Sequence, residues 1–356
     1  MLDKLEIIGY TEISKKTEVY PMKKQERKAA EKYLLQRIFE EDPDFVDKTM
    51  EAYGVSRSTV YNYINTLQNN GELERVGGSM PYRIQYQTSR FTIDPTRDRS
   101  EDRIFNRDVA PLLEELPQNV QKIWRYAVTA MLNNALEHAR ASAIICVVSR
   151  SRLSTIVGVL DNGVGIFRRI QQDYKEATGE ILSVPEAASL LYPGGYSGKP
   201  DTHSGEGIFF TSRLMDHFAI RSDFQLFTPF EADAEEEGGE RFRGTAVQMA
   251  LSNDSDKELS SMMEHYITPE DGFCRTEIPV LRFFSGEAPM SRSEARRLGA
   301  VLTDFKVAEL NFTGVDEIGP DFAHELFAVF AKQTPTLTLE CTNTSPKVEA
   351  ILRRVR

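Results

Sequence analysis

The sequence is poor in the residues that build disulfide frameworks and metal clusters. It contains three cysteines, five histidines and one tryptophan in 356 residues. Cys146, Cys274 and Cys341 lie far apart in the chain, so they predict neither a disulfide framework nor a cysteine-based zinc site. We expect them to be reduced thiols in or near the core of a cytoplasmic protein.

Long apolar runs are also missing. The runs at 143–148 and 154–160 are the longest, and they are far shorter than the roughly 20 residues of a membrane-spanning helix. The first residues lack the charged and then apolar pattern of a signal peptide. We therefore expect a soluble protein with no membrane partner.

Positive charge is scarce. The chain has 43 Lys and Arg against 54 Asp and Glu, a net charge of −11, which excludes a basic protein that coats nucleic acid. The charge is uneven, because residues 1–95 carry a net charge of −1 and the remaining residues carry −10. A specific DNA contact by the near-neutral N-terminal part thus remains compatible with the composition.

The length exceeds that of one ordinary domain and predicts two or three. Polar stretches at 94–102 and 252–258 indicate boundaries between segments in which helical and strand patterns alternate. We predict a multi-domain α/β protein with domains at 1–95, 96–255 and 277–356 and a linker at 256–276.

The first domain has the pattern of three helices followed by a hairpin. Apolar positions at helical spacing predict helices over 23–42, 45–53 and 57–69. Ser56 is a good N-cap for the third helix, and strand-like stretches follow over 72–87.

The stretch Tyr53–Ile64 closely resembles bacterial helix-turn-helix regulators. The resemblance implies a winged helix-turn-helix domain whose third helix contacts DNA with its first turns. Residues 56–91 carry a net charge of +2, and Arg75, Arg83 and Arg90 of the wing could contact phosphates. A winged helix used for protein contacts or dimerisation is the alternative. The expected DNA-binding residues are Arg57, Ser58, Thr59, Tyr61 and Asn62.

Four separated motifs mark the central region. The stretch 130–139 lies on a predicted helix, and 161–166 directly follows a predicted strand. The stretch 203–210 opens a helix after a Gly-rich segment, and 243–246 leads into a strand.

Each motif offers groups that nucleotide binding needs. Asn134 provides an oxygen ligand for Mg²⁺, which takes few protein ligands and otherwise keeps phosphates and waters. Asp161 can accept a hydrogen bond from an exocyclic amine such as that of adenine. The other candidates are glycines that let backbone approach a flat ring or phosphates, and a lysine for the γ-phosphate: Gly163, Gly165, Gly205, Gly207 and Lys199.

Taken together and in this order, the motifs resemble the Bergerat-fold (GHKL) ATPases, the superfamily of gyrase and the histidine kinases. The resemblance covers about residues 100–251. It implies an α/β sandwich that binds Mg-ATP between sheet and helices under a flexible lid, in a protein that often works as a homodimer. The residues that it implies are Asn134 on Mg²⁺, Asp161, Gly165 and Thr245 at the adenine, Gly205, Glu206 and Gly207 on the phosphates, and His138, which matches a frequent histidine of the motif.

One position departs from the family pattern. Hydrolysing members carry a Glu four residues before the Mg²⁺-binding Asn, on the same helix face, where its carboxylate can activate water. Ala130 occupies this position, and a methyl group cannot accept a proton. Either the chain binds ATP without efficient hydrolysis, or Ala130 is an engineered substitution in a parent protein that hydrolyses ATP. The intact surrounding motif favours the second explanation.

The last domain has alternating strand and helix patterns, beginning with a predicted strand at Val280–Phe284. The stretch Leu310–Leu326 resembles STAS domains of the anti-sigma-factor antagonist type. Regulatory members carry a phosphorylated serine in the turn that corresponds to Asp316–Gly319, which has no hydroxyl here, and Thr313 is the nearest one. We therefore expect docking on an ATPase module rather than a standard phosphoswitch, with a purely structural or dimerising domain as the alternative.

The order of the three domains predicts an ATP-responsive regulator in which Mg-ATP changes dimer geometry and thereby DNA contact. The alternative is a Bergerat-type protein kinase or ATPase that acts on a protein partner through the STAS-like domain. A histidine kinase is disfavoured, because Glu101–Leu116, where a phosphoacceptor helix would lie, has no histidine. A scaffold with the nucleotide as a structural ligand is the third hypothesis.

Overall fold

The computed structural model describes residues 24–78, 80–194, 205–229 and 242–355. The chain divides into two compact units, an N-terminal unit that ends at Gln85 and a C-terminal unit that begins at Tyr86. Within the described ranges, every helix is too short or too polar to span a lipid bilayer.

The N-terminal unit contains three helices and a small antiparallel sheet. Its elements are α1 (Lys24–Phe39), α2 (Phe45–Tyr53), α3 (Arg57–Asn69), β1 (Leu73–Arg75) and β2 (Tyr82–Ile84). Helix α2 ends at Gly54, which has a φ of 61° and so takes the left-handed conformation that favours glycine. Ser56 caps α3, because its Oγ accepts a hydrogen bond from the backbone N–H of Thr59 at 3.2 Å. The predicted bounds of α2 and α3 are those observed.

The C-terminal unit begins with a six-stranded antiparallel sheet in the order β3-β4-β5-β8-β6-β7. Its strands are β3 (Gln87–Ile93), β4 (Ile144–Arg150), β5 (Ser154–Asp161), β6 (His217–Asp223), β7 (Gln225–Phe227) and β8 (Phe242–Ser252). Strand β3 pairs with β4 along its whole length, and Ile93 is fully buried. The expected boundary at residue 95 therefore lies beyond a strand of the second unit, and Arg90, expected in the wing, lies on this strand.

Helices cover one face of the six-stranded sheet. They are α4 (Glu101–Ile104), α5 (Ala110–Leu113), α6 (Gln118–Glu137), α7 (Ile166–Thr178), α8 (Val184–Ser189) and α9 (Glu206–Leu214), with a π-helical stretch at Phe105–Val109. Helix α6 buries a stripe that includes Val120, Trp124 and Val128. Trp124 is fully buried, and its indole Nε1 has no hydrogen-bond partner among the described residues.

A three-stranded parallel sheet, β11-β12-β13, forms the rest of the C-terminal unit together with its helices and a short hairpin. The elements are α10 (Leu259–Tyr266), β9 (Ile267–Thr268), β10 (Gly272–Phe273), β11 (Arg275–Pro279), α11 (Val280–Phe283), α12 (Arg292–Ala300), β12 (Val307–Asn311), α13 (Pro320–His324), a π-helical stretch (Glu325–Phe330), α14 (Ala331–Gln333), β13 (Thr338–Thr342) and α15 (Pro346–Val355).

Two elements here differ from the sequence predictions. The expected linker at 256–276 contains helix α10 and the hairpin β9–β10. The expected strand at Val280–Phe284 is instead helix α11, because the strand ends at Pro279 and the apolar residues that follow have helical spacing. Val280, Phe283 and Phe284 are all buried, and positions i, i+3 and i+4 share one face of a helix.

A large apolar core extends across both sheets of the C-terminal unit. Its buried members extend from Ile93 on the first strand of the large sheet to Leu352 on the last helix. The six-stranded and three-stranded parts consequently share buried apolar residues within one compact unit.

Candidate functional site

A cavity of about 320 Å³ lies between the helix-covered face of the six-stranded sheet and helices α6, α7 and α9. The four separated motifs meet there. The expected site residues that line the cavity are Ala130, Asn134, His138, Asp161, Gly165, Gly205, Gly207 and Thr245.

Helix α6 provides one wall of the cavity. Its apolar stripe faces the core and includes the buried Met131 and Ala135. Ala130, Asn134 and His138 follow one another at four-residue spacing and line the cavity, and the adjacent Met131 and Ala135 contribute to the same wall. The sequence thus orients the amide of Asn134 through the hydrophobic pattern of its own helix.

Asp161 ends strand β5 and is buried, with 6% of its surface exposed. Its Oδ1 accepts hydrogen bonds from the backbone N–H of Gly163 at 2.8 Å and of Thr245 at 3.3 Å. Burial raises the pKa of Asp161, although these hydrogen bonds act in the opposite direction. The carboxylate of Asp161 is therefore a buried hydrogen-bond acceptor with a fixed orientation in the wall of the cavity.

Glycines are required where the loop after Asp161 packs against its neighbours. A Cβ at Gly163 would lie 2.0 Å from the carbonyl oxygen of Ala139, and a Cβ at Gly244 would lie 2.0 Å from that of Asp161. Both positions therefore exclude any side chain. Thr245, the next residue, accepts a hydrogen bond at its Oγ1 from the backbone N–H of Ile166 at 3.1 Å. This hydrogen bond joins the motif at 161–166 to the motif at 243–246.

The first turn of helix α9 faces α6 across the cavity. Gly205 precedes the helix with a φ of 70°, and both it and Gly207 line the cavity. A Cβ at Gly207 would lie 3.3 Å from the Cβ of Ala130, so position 130 points at the start of α9.

Two of the expected residues that the structure describes do not line the cavity. Gly163 lies beside it and contributes the backbone N–H that binds Asp161. Glu206 is the first residue of α9 and is not part of the cavity wall. Lys199, with most of the expected lid, lies outside the described residues.

An ion pair on α7 also lines the cavity, and the sequence analysis did not identify it. Arg169 binds Asp173 through two contacts, Nε to Oδ2 at 3.0 Å and Nη2 to Oδ1 at 2.9 Å. Arg169 is the only Lys or Arg in the described lining of the cavity. Its sequence signal, an Arg and an Asp four residues apart on a helix, is also typical of ordinary surface ion pairs.

The expected DNA-binding residues lie on the N-terminal unit, at the start of α3. Arg57, Ser58, Tyr61 and Asn62 are exposed, while Thr59 is half-buried next to its cap. The guanidinium of Arg57 contacts the carboxylate of Asp47 on α2. The start of α3 therefore presents an exposed polar face, and its one cationic side chain, Arg57, is paired with Asp47.

The turn after β12 is the expected regulatory region of the C-terminal part. Asn311 accepts hydrogen bonds at Oδ1 from the backbone N–H and the Oγ1 of Thr313 and from Nδ2 of Asn343. Thr313 is exposed, and it lies at the carboxyl ends of the parallel strands, beside a groove of about 680 Å³ between this part and the larger sheet.

Comparison with known proteins gives a family for this C-terminal part. No curated protein matches the chain. Residues 295–349, from within α12 to within α15, match the family described as a STAS-like domain of unknown function (DUF4325). The match confirms the STAS-like prediction, and we conclude that the chain carries a STAS-like domain at its C-terminal end.

Proposed function

We propose that the cavity of the C-terminal unit binds Mg-ATP and that this unit is a Bergerat-type nucleotide-binding module. The observation that carries the proposal is the convergence of four distant motifs on one cavity of about 320 Å³, a size within the usual range of ligand pockets. The antiparallel sheet with helices on one face supports the same proposal.

The adenine would lie at the Asp161 end of the cavity. Asp161 is buried, and two backbone N–H groups already hold its Oδ1. Its Oδ2 is then the acceptor for the exocyclic amine of adenine. The apolar lining nearby, including Val159, Ile220 and Val247, suits a flat ring.

The phosphates and Mg²⁺ would lie at the other end, between α6 and α9. The amide oxygen of Asn134 is a hard ligand suited to Mg²⁺, which binds one or two protein groups together with phosphate oxygens. The backbone N–H groups at the start of α9, at Gly205 and Gly207, point along the positive end of the helix and favour anions. Arg169 adds positive charge from α7. When bound, Mg²⁺ would neutralise phosphate charge.

Asn134→Ala tests the proposal. We expect it to weaken ATP binding in the presence of Mg²⁺ by about 10- to 100-fold, because the metal loses its protein ligand. Gln118→Ala removes an exposed amide side chain from the same helix, outside the cavity lining, and is the matched control that should have a much smaller effect. Titration calorimetry with and without Mg²⁺ makes the measurement, and equal losses in the two variants would count against the assignment of Asn134.

The chain is proposed to bind ATP without efficient hydrolysis. The side chain at position 130 points toward the first turn of α9, where a general base would need to lie, and alanine cannot activate water. The parent protein is proposed to carry Glu at this position and to hydrolyse ATP.

We further propose that nucleotide binding regulates a winged helix-turn-helix domain in the N-terminal unit, through a homodimer. The exposed residues at the start of α3 support DNA contact, and the near-neutral charge of this part predicts weak non-specific affinity.

DNA binding should be measured by fluorescence anisotropy on random and genomic fragments, with and without Mg-ATP and at two salt concentrations. A change in affinity or site preference with Mg-ATP supports regulation. Absence of DNA binding at low salt would refute it. Ser58→Ala and Asn62→Ala should weaken binding to preferred sites, whereas Glu51→Ala on the exposed end of α2 should not.

A second function is favoured by the STAS-like match at residues 295–349. The C-terminal unit could act on a protein partner as a Bergerat-type kinase or ATPase, with the STAS-like domain as the docking surface. Transfer of radiolabelled phosphate from ATP to a co-purified protein, in a variant that carries Ala130→Glu, would favour this function over DNA regulation.

A further inference from the structure

Helix α9 connects the nucleotide cavity to the STAS-like domain. Gly205 and Gly207 at its start line the cavity, and its last turn carries Arg213. Because a helix of this length is rigid, the position of its last turn determines the position of its first turn.

Arg213 holds the last turn of α9 against strand β11. Its Nη2 donates a hydrogen bond to the carbonyl oxygen of Glu277 at 2.8 Å. The guanidinium carbon also lies 3.5 Å from the centre of the Phe209 ring on the same helix, a cation–π contact that fixes the direction of the side chain. Strand β11 thus binds the last turn of α9 through the carbonyl oxygen of Glu277.

The residue next to Glu277 makes a second connection. Thr276 is fully buried, and its Oγ1 donates a hydrogen bond to the carbonyl oxygen of Pro193 at 2.5 Å. Gly194 follows and packs flat on Phe209, since a Cβ there would lie 2.7 Å from the ring. Consecutive residues of β11 therefore hold both α9 and the chain segment packed against it.

Strand β11 is the first strand of the parallel sheet, and its partner β12 lies within the STAS-like match. We infer that β11 positions helix α9, and that Arg213 and Thr276 are positioning residues through which the STAS-like domain sets the affinity for the phosphate end of a bound nucleotide. The inference rests on the proposed Mg-ATP binding. By linkage, a partner that binds the STAS-like domain and shifts β11 changes nucleotide affinity, and the nucleotide changes the affinity for that partner by the same factor.

Thr276→Val is the most direct test, because valine has nearly the same shape and removes only the hydroxyl. Thr342→Val is its matched control: Thr342 lies on β13 of the same sheet, and its Oγ1 is buried without a partner among the described residues. The affinities of the full chain for Mg-ATP and for adenosine are measured by calorimetry, beside the Tm of each variant.

We expect Thr276→Val to weaken Mg-ATP binding by roughly 5- to 30-fold, the effect of one lost buried hydrogen bond, and to leave adenosine binding within about twofold. Thr342→Val should change neither. Arg213→Lys keeps a donor and a charge, and should retain more of the Mg-ATP affinity than Arg213→Met while adenosine binding stays the same.

The outcomes separate this inference from the proposed function. If wild type binds both ligands and Thr276→Val weakens both equally or neither, the positioning role is refuted while nucleotide binding stands. If wild type binds neither ligand, the proposed function fails and the inference fails with it. If Thr276→Val does not fold, the two Arg213 variants test the positioning role in its place. The quantity compared is again the loss of Mg-ATP affinity relative to the loss of adenosine affinity.

Discussion

The substitution Asp161→Asn tests adenine recognition with very little change in shape. In the folded protein, the backbone N–H groups of Gly163 and Thr245 both point at Oδ1. The amide oxygen of the variant can keep these two hydrogen bonds. Its NH₂ group then takes the place of Oδ2, so that a donor stands where the carboxylate offers an acceptor.

The expected loss follows from two contributions. The hydrogen bond between the carboxylate and the adenine amine disappears, which costs about 1.5–3 kcal/mol, and a buried donor then faces another donor, which costs about 1–3 kcal/mol. Since these penalties overlap, we expect a total of about 2–4 kcal/mol, or roughly 30- to 1,000-fold in the Kd for ATP. Inosine triphosphate, which has a carbonyl in place of the amine, should bind the variant better than ATP.

Competition calorimetry with ATP and inosine triphosphate makes the measurement. An unchanged Kd for ATP, or an equal loss for both nucleotides, would refute the assignment of Asp161 to the adenine amine. Because the variant keeps the two backbone hydrogen bonds, we expect it to fold, and its Tm checks this expectation.

The same variant carries a pH signature. Because burial raises the pKa of Asp161 above the ordinary 3.8, the folded state binds a proton more tightly than the unfolded state. The buried carboxylate therefore lowers the free energy of unfolding above its folded-state pKa, and this cost disappears as the pH falls through that pKa toward 3.8. The stability of Asp161→Asn relative to wild type should be highest at neutral pH and should decline on acidification, which Tm measurements across this range would detect.

Three further substitutions address other parts of the site. Arg169→Ala should weaken Mg-ATP binding about tenfold by calorimetry through loss of a phosphate contact, whereas Arg168→Ala, a neighbour outside the cavity, should change it less than about twofold. Ala130→Glu should produce ATP hydrolysis in a phosphate-release assay, and no turnover would rule out the engineered-substitution hypothesis. Gly163→Ala should lower the free energy of unfolding in urea by about 2–3 kcal/mol, because its Cβ would overlap a backbone carbonyl. Gly77→Ala, where no atom lies within 4 Å, should change it by less than about 1 kcal/mol.

Local signals made parts of the fold predictable. Helix α3 begins and ends where its Ser56 cap and its apolar stripe indicate. One cavity is lined by Asn134, Asp161 and Thr245, and each lies near an end of an element whose pattern is clear in the sequence. Their role in nucleotide binding stays a prediction.

Long-range contacts were beyond the reach of the sequence. The pair Arg169–Asp173 has the spacing of an ordinary surface ion pair, and only the packing of α7 brings it to the cavity. The hydrogen bond from Arg213 to strand β11 joins residues 64 positions apart. Helix α11 was missed because a short apolar run fits a strand and a helix equally well.

The single tryptophan gives this protein a built-in optical probe. Trp124 is fully buried in the apolar core, and its indole N–H has no partner in the part of the chain that the structure describes, so its emission should be blue-shifted in the folded state and should move to longer wavelength on unfolding. Since the N-terminal unit contains no tryptophan, selective excitation reports only on the C-terminal unit. Circular dichroism records both units, so the two signals together can resolve the separate melting of each in the intact chain.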